Sequence, residues 1–300
     1  MPEKIKITFL GTSDAIPSAA RNHPSFLLTY QGENILVDCG EGTQRQFRKA
    51  GLNPCKITRI LITHWHADHV LGIPGLLKTL ALSGYNKTLY VYGPSGTREL
   101  MNSLLKLFGF RNEYPIKIEE VRGKFFENNE FRLEAESMTH GIPCNAYSFV
   151  RKGKIRIDKR KLKKFKIKEG RHLSNLKEGK NIIYNGKRYL AKNLAYHENE
   201  KKISIVLDTS LNNKIAPLVK NSDVFICESS FHSELGKKAK EYQHLTAEQT
   251  ADIAKKAKVK RLILTHISQR YNKNQEKILR EAKKIFRNVY LAKDLDVIEV

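Results

Sequence analysis

A run of six residues, His64-Trp65-His66-Ala67-Asp68-His69, constrains this chain more than any other feature. It follows Ile57–Thr63, whose apolar composition predicts a short buried strand, and precedes Val70–Leu82, which has helical length. Three imidazoles and a carboxylate thus share one strand-to-helix loop. Burying such a group unbonded would strand several polar atoms, at about 1–3 kcal/mol each, so a divalent metal ion is the expected partner. In an extended stretch His64 and His66 point the same way, and Asp68 and His69 turn off as the loop bends into the helix. This spacing predicts two ions.

Four more positions fit the same constellation. Asp38 follows the apolar stretch Ile35–Val37, His140 follows Phe131–Met138, Asp208 follows Ile203–Leu207 and His266 follows Leu262–Leu264. Each sits where a predicted strand meets a loop, the usual place for site residues in layered α/β folds. Further strands are expected at Ile5–Leu10, Ser25–Tyr30, Thr88–Tyr92, Val224–Cys227 and Val289–Leu291, and within Ile116–Phe149, with a last one ending at Val300. Helices are expected near Thr43–Ala50, Pro94–Phe108, Lys214–Lys220, Thr246–Lys258 and Gln275–Phe286. Two α/β halves, each with sheet and helices, imply layered packing. No run of 18 apolar residues exists, which excludes a membrane span.

Charge sets a third region apart. The chain carries 54 Lys and Arg against 31 Asp and Glu, a formal +23. Residues 151 to 192 hold 17 Lys or Arg and 3 Asp or Glu, so +14 lies there and only +9 on the other 258 residues. The division expected is 1–150 and 193–300 for the two halves, with 151–192 a basic, mobile arm. Such a segment suits a polyanion, and Lys159, Arg160, Lys161, Lys163 and Lys164 are its densest part. Embedded apolar residues and turns at Gly170, Gly179 and Gly186 allow it a small fold of its own. It lacks a sustained amphipathic stripe, so no membrane partner is expected. Four widely spaced cysteines form no C-x-x-C motif, and the first ten residues read as a strand without a signal peptide's features. A reducing, cytoplasmic setting is expected.

The order Asp38, His64-x-His66-x-Asp68-His69, His140, Asp208, His266 resembles the five-motif signature of the metallo-β-lactamase superfamily. That resemblance implies a four-layered αββα sandwich with two zinc ions at the sheet edge. Finer stretches are similar to RNase Z, the tRNA 3′-processing endonucleases: Phe9-Leu10-Gly11-Thr12, Pro17-x-x-x-Arg21-Asn22, Val37 to Gln44, Thr139 to Pro143, Thr265 to Tyr271, and Ala292 to Leu295. The basic insertion matches that family's flexible arm, which grips tRNA. Two departures stand out: Ala19 where the family usually has Lys, and Gly170-Arg171 where a Gly-Pro pair is typical.

By this resemblance His64, His66 and His140 hold one Zn²⁺, Asp68, His69 and His266 the other, and Asp208 bridges them, with Mn²⁺ an alternative occupant. Asp68 is also the implied base. His244, in Gln243-His244-Leu245-Thr246-Ala247, resembles the family histidine that assists the leaving 3′-oxygen, with Glu228 as its orienter. Asp38 reads as a partner to a ligand histidine rather than a ligand. Arg21 and Asn22 are candidates for contacting the acceptor stem or the phosphate beside the cut. The implied protein is a homodimeric, cytoplasmic endonuclease acting on precursor tRNA. Two alternatives are a superfamily hydrolase of small phosphodiesters or thioesters, which needs no +14 arm, and a non-catalytic RNA-binding protein braced by metal. The His/Asp donors speak against the second, because structural zinc sites are closed and usually thiolate-rich.

Overall fold

The computed structural model describes residues 4–111 and 113–300, which form two compact units. Of the described residues, the larger comprises 4–111, 113–126, 133–149 and 202–300, and the smaller Glu127–Arg132 with Val150–Lys201.

Two seven-stranded sheets organise the larger unit. In the first, Lys6–Gly11, Ser25–Tyr30, Glu33–Val37, Arg59–Leu61, Leu89–Gly93 and Ile116–Glu120 lie side by side in chain order, and Val297–Glu299 closes the edge against Lys6–Gly11. In the second the order is Val289–Leu291, Leu262–Thr265, Val224–Glu228, Lys201–Val206, Asn145–Arg151, Phe131–Ser137 and Gly123–Glu127.

Period-two alternation explains why helices cover only one face of each sheet. Leu10, Leu27, Leu36, Ile60 and Val91 pack with Phe47, Leu76, Leu80 and Met101 of the helices Thr43–Lys49, Ile73–Leu82 and Thr97–Leu107. Val206, Phe225, Cys227, Leu262 and Leu264 pack with Ile215, Ala251, Ile278 and Ala282 of Ile215–Val219, Ala247–Lys256 and Gln275–Ile285. The intervening positions fill the space between the sheets: Tyr30 meets Phe149 edge-on at 5.7 Å, and the Tyr147 hydroxyl donates to the Ile62 carbonyl at 2.6 Å. Four layers result, helix, sheet, sheet, helix, as the αββα expectation required.

Local deviations have local causes. The strand expected over Ile57–Thr63 is only Arg59–Leu61, because Asn53 and Pro54 start a 3₁₀ turn through Lys56. The helix expected over Val70–Leu82 is two, Ala67–Val70 and Ile73–Leu82, with Gly72 between them. A side chain at Gly72 would strike the Gly40 carbonyl at 2.1 Å, and one at Gly40 the Asp68 carbonyl at 2.4 Å. These bare backbones let the loop after Asp38 lie directly on the helix carrying Asp68 and His69. A helix at Gly236–Glu241 escapes the sequence reading, since only Ala239 of its six residues is buried.

The smaller unit has its own core of Leu162, Ile167, Leu173, Leu176, Ile182 and Leu194. Hairpin strands Ile182–Tyr184 and Lys187–Tyr189, and the pair Lys154–Ile157 with Ala195–Glu198, frame it. Pairing to Ala195–Glu198 carries this unit beyond residue 192, the limit that charge alone suggested. In the helix Lys159–Lys164, capped by Asp158, Leu162 turns inward. Lys159, Arg160, Lys163 and Lys164 are exposed, and Lys159 pairs with Glu169 at 2.9 Å.

Candidate metal centre

All seven predicted ligands converge in the larger unit, each delivered by the end of a strand or the start of a helix. Asp38 and His266 directly follow strands Glu33–Val37 and Leu262–Thr265, and Asp208 lies two residues past Lys201–Val206. All three take left-handed backbone conformations, with φ of 55°, 55° and 31°. This geometry is sparsely allowed for residues other than glycine, and such positions cluster at functional sites.

Two ligand groups share one carboxylate. His64, His66, His140 and Asp208 form the first, and Asp68, His69, Asp208 and His266 the second. In the first, His66 Nδ1 lies 3.1 Å from both His64 Nε2 and His140 Nε2, and Asp208 Oδ2 stands 3.6 Å from His64 Nε2. In the second, His69 Nε2 is 3.2 Å from Asp68 Oδ2, and His266 Nε2 is 3.1 Å from Asp208 Oδ1.

Whether these donors suit a cation can be judged from their bonding. Asp68 Oδ2, His69 Nε2, Asp208 Oδ1 and His266 Nε2 are buried, face one another and have no hydrogen-bond partner. Four such atoms would be costly to leave unsatisfied, and nitrogen and oxygen donors are what Zn²⁺ or Mn²⁺ take. The residues fit a divalent metal.

Electrostatics agree. Burial opposes ionisation of Asp68 and Asp208, yet His69 beside Asp68, and His266, His69 and His64 around Asp208, hold both carboxyls well below the usual range. Burial keeps His64 and His140 neutral, the form that ligates. At His69 and His266 the surrounding carboxylates overcome burial and raise the pKa, and the same negative field favours a metal cation.

Outer partners fix the rings. Asp38, fully buried, accepts from Thr63 N and Oγ1 at 2.7 Å each and binds His69 Nδ1 at 2.6 Å, which fixes the orientation of that ring. Ser230 Oγ lies 2.9 Å from His266 Nδ1, and His140 Nδ1 lies 3.3 Å from the Gln243 carbonyl. The sequence reading gives Thr63, Ser230 and Gln243 no role in the site. The motif neighbour Thr63 carried a signal, but Gln243 acts through its backbone at φ 57° and left none.

His244 enters on the turn before Ala247–Lys256, whose cap Thr246 completes a capping box with Gln249. Its Nδ1 lies 3.0 Å from Glu228 Oε2, leaving Nε2 free, and its ring stacks 5.4 Å from that of His266. Glu228 also accepts from Thr209 N at 2.7 Å and Ser230 Oγ at 2.8 Å. Burial works against a charge on His244, but Glu228 outweighs it and the pKa is pushed up to about 9.

The expectation for Arg21 needs correction. Arg21 is 2% exposed, and its guanidinium donates to Thr12 Oγ1, the Ala292 carbonyl and Gln275 Oε1 at 2.5, 2.7 and 2.9 Å. It ties three distant segments together and has no face left for RNA. Asn22 is also engaged internally, its Nδ2 donating to the Glu41 carbonyl at 2.6 Å. Arg21→Ala should cost about 3 kcal/mol of stability, measured by denaturant unfolding, and leave tRNA affinity unchanged. Trp65 packs on the first helical layer and donates to Thr97 Oγ1 at 3.0 Å, a packing role as read from the sequence.

Residues 5–121 match the family model described as Anti-Pycsar protein Apyc1. Ribonuclease Z of Listeria welshimeri is 38% identical over 308 residues, covering 99% of this chain and 99% of that protein. The metallo-beta-lactamase fold protein YhfI from Bacillus subtilis superposes with a TM-score of 0.73 at 19% identity, covering 99% and 100% of the two chains. The short form of human tRNase Z superposes at 0.71 with 28% identity, covering 98% of each. A whole-length relationship joins the strand-end His/Asp cluster to the layered fold that displays it, and the chain belongs to the ribonuclease Z family.

Proposed function

We propose that this protein is a metal-dependent endoribonuclease that cuts the 3′ trailer from precursor tRNA, hydrolysing one phosphodiester and leaving a 3′-hydroxyl on the tRNA. Family membership supports the substrate class. The observation that carries the chemistry is the buried, mutually facing and otherwise unbonded set Asp68 Oδ2, His69 Nε2, Asp208 Oδ1 and His266 Nε2.

Two Zn²⁺ ions are assigned, with Mn²⁺ as the alternative: His64, His66 and His140 would hold one, Asp68, His69 and His266 the other, and Asp208 would serve both. A divalent pair supplies Lewis acidity there, lowering the pKa of a water and neutralising charge on phosphate oxygens. Asp68, ionised at neutral pH, is placed to take the proton of the attacking water. His244 is the proton donor to the departing 3′-oxygen: Glu228 binds Nδ1 and leaves Nε2 for the transfer. Asp38, Ser230 and the Gln243 carbonyl keep the ligand rings from turning, so the site needs little rearrangement during reaction.

Lys159, Arg160, Lys161, Lys163 and Lys164 are assigned to phosphates of the folded tRNA, supported by the exposure of Lys159, Arg160, Lys163 and Lys164, with Lys161 half-buried among them, and by the +14 of residues 151 to 192. A homodimer is also assigned. Between helices Ile73–Leu82 and Thr97–Leu107 runs an apolar groove lined by Pro74, Leu104, Leu105, Phe108 and Phe110, with Leu107 and Phe108 78% and 61% exposed. A second copy would cover that surface. Sedimentation should return twice 34.4 kDa, and Leu107→Glu with Phe108→Glu should give the single mass. The cytoplasm, where precursor tRNA is met in a reducing medium, is the assigned location; among the described residues no helix is long and apolar enough to cross a membrane.

The deciding experiment incubates the protein with a trailer-bearing tRNA, with and without chelator. Cleavage should stop on chelation, return with Zn²⁺ or Mn²⁺, and yield a tRNA 3′-hydroxyl and a trailer 5′-phosphate. Asp68→Ala should abolish it while RNA still binds; undiminished cleavage by that variant would defeat the mechanism.

A further inference from the structure

At the outer edge of the second sheet, an open trough of about 720 Å³ runs between the helix Gln275–Ile285 and the strand Val289–Leu291. One end lies beside the His/Asp cluster. Val289–Leu291 is parallel to Leu262–Thr265 with Leu291 opposite Leu264, so Ala292 and Lys293 leave the sheet at the level where His266 does. Buried Arg21 ties this end together, donating to Gln275 on the helix and to the Ala292 carbonyl just beyond the strand. From there the helix runs away from the cluster for 11 residues, about 16 Å, and the chain turns back through Arg287.

Positive charge lines the trough. Lys293 at the near end and Lys283 and Arg287 at the far end are exposed, and none pairs with a carboxylate among the described residues. The acidic side chain of the lining, Glu276, is turned to Arg280 at 3.5 Å. Between the cations lie Leu279 and Tyr290, and Tyr290 is 54% exposed with the Arg261 guanidinium 5.7 Å from its ring. Like charges around one depression repel one another, and no contact within the fold offsets that repulsion. A channel of unpaired cations with an exposed ring along it is what holds a single strand of nucleic acid: the cations track the phosphates and the ring offers a face to a base.

We propose that this trough holds the single-stranded 3′ trailer of the precursor, its phosphates meeting Lys293 first and then Lys283 and Arg287, with Tyr290 as a stacking face. This rests on the function proposed above. There His244 serves the oxygen that stays on the tRNA, and Glu228, which binds His244, ends the strand Val224–Glu228. Val289–Leu291 stands on the opposite side of Leu262–Thr265 from that strand. With the tRNA end on the Glu228 side, the chain beyond the cut leaves on the side of the trough. Phosphate contacts carry no sequence information, so the trough accepts any trailer and responds to its length.

The test compares two precursors that differ only in trailer length, about two nucleotides against about twelve, long enough to fill the trough. The proteins, both loaded with zinc, are the unaltered chain and the double variant Lys283→Gln with Arg287→Gln. On the long trailer the double variant should lose about tenfold in kcat/KM, through KM with kcat retained, because two phosphate contacts are gone. On the short trailer, which does not reach those residues, the two proteins should agree. A 4-thiouridine placed a few nucleotides into the trailer should cross-link within residues 283–293 when the precursor is bound to Asp68→Ala, a result that does not depend on how the double variant folds. Equal losses on both precursors, no loss on either, or cross-links confined elsewhere would overturn the trough while tRNA cleavage stands. An unaltered protein that cuts neither precursor would overturn the function and the trough with it.

Discussion

Asp208→Ala is expected to lower kcat on precursor tRNA by about four powers of ten while the RNA still binds. Asp208 is the one residue shared by both ligand groups, with Oδ2 at 3.6 Å from His64 and Oδ1 at 3.1 Å from His266. Losing it takes one donor from each group and removes a negative charge that faces both. Metal assistance is worth several kcal/mol, and each 1.36 kcal/mol is a factor of ten in rate. His66→Ala touches only one group and should cost less. Elemental analysis beside single-turnover rates checks both: Asp208→Ala should lose metal from the whole centre, His66→Ala preferentially from one position. Full metal content with undiminished turnover in Asp208→Ala would remove the shared carboxylate from the centre.

Much of this site was legible because its donors are chemically conspicuous. Three histidines and an aspartate within six residues are costly to bury without a cation, and Asp38, His140, Asp208 and His266 stand at or just past predicted strand ends. The sheets were legible for a related reason: strands covered on both faces read as continuous apolar runs such as Val224–Cys227. Illegible were features set by backbone and long-range packing. Nothing local in the sequence announces the left-handed turns at Asp38, Asp208 and His266, or the Gln243 carbonyl behind His140. Arg21 shows the opposite failure. An arginine in a Pro- and Ser-containing loop looks like a surface contact, but Ala292 and Gln275, more than 250 residues away along the chain, claim its guanidinium. Charge marks the basic insertion, whereas the pairing of Lys154–Ile157 with Ala195–Glu198 is a matter of register, to which composition is blind.

The second large effect concerns affinity rather than rate. Replacing Lys159, Arg160, Lys161, Lys163 and Lys164 together by Gln should weaken tRNA binding by about three powers of ten at physiological salt. Each phosphate neutralised by a cation releases condensed counterions and contributes about 0.9 to the slope of log affinity against log salt, so five lost contacts should flatten that slope by about 4 to 5. The module should survive the change. Leu162 is the inward residue of the helix Lys159–Lys164, Asp158 keeps its cap, and the core of Leu173, Leu176, Ile182 and Leu194 is untouched. Gln is also a good helix former. The one ion pair sacrificed, Lys159 with Glu169, lies between exposed side chains where screening leaves little to lose. Filter-binding titrations from about 50 to 300 mM salt would measure the slope, and thermal melts would check the fold. Turnover of a small phosphodiester such as bis-p-nitrophenyl phosphate should be unaffected, because the His/Asp cluster lies wholly in the larger unit and is built without these residues. An unchanged slope in a folded variant would mean that these five cations only solvate the surface, and that the grip on tRNA lies elsewhere in the remaining positive charge.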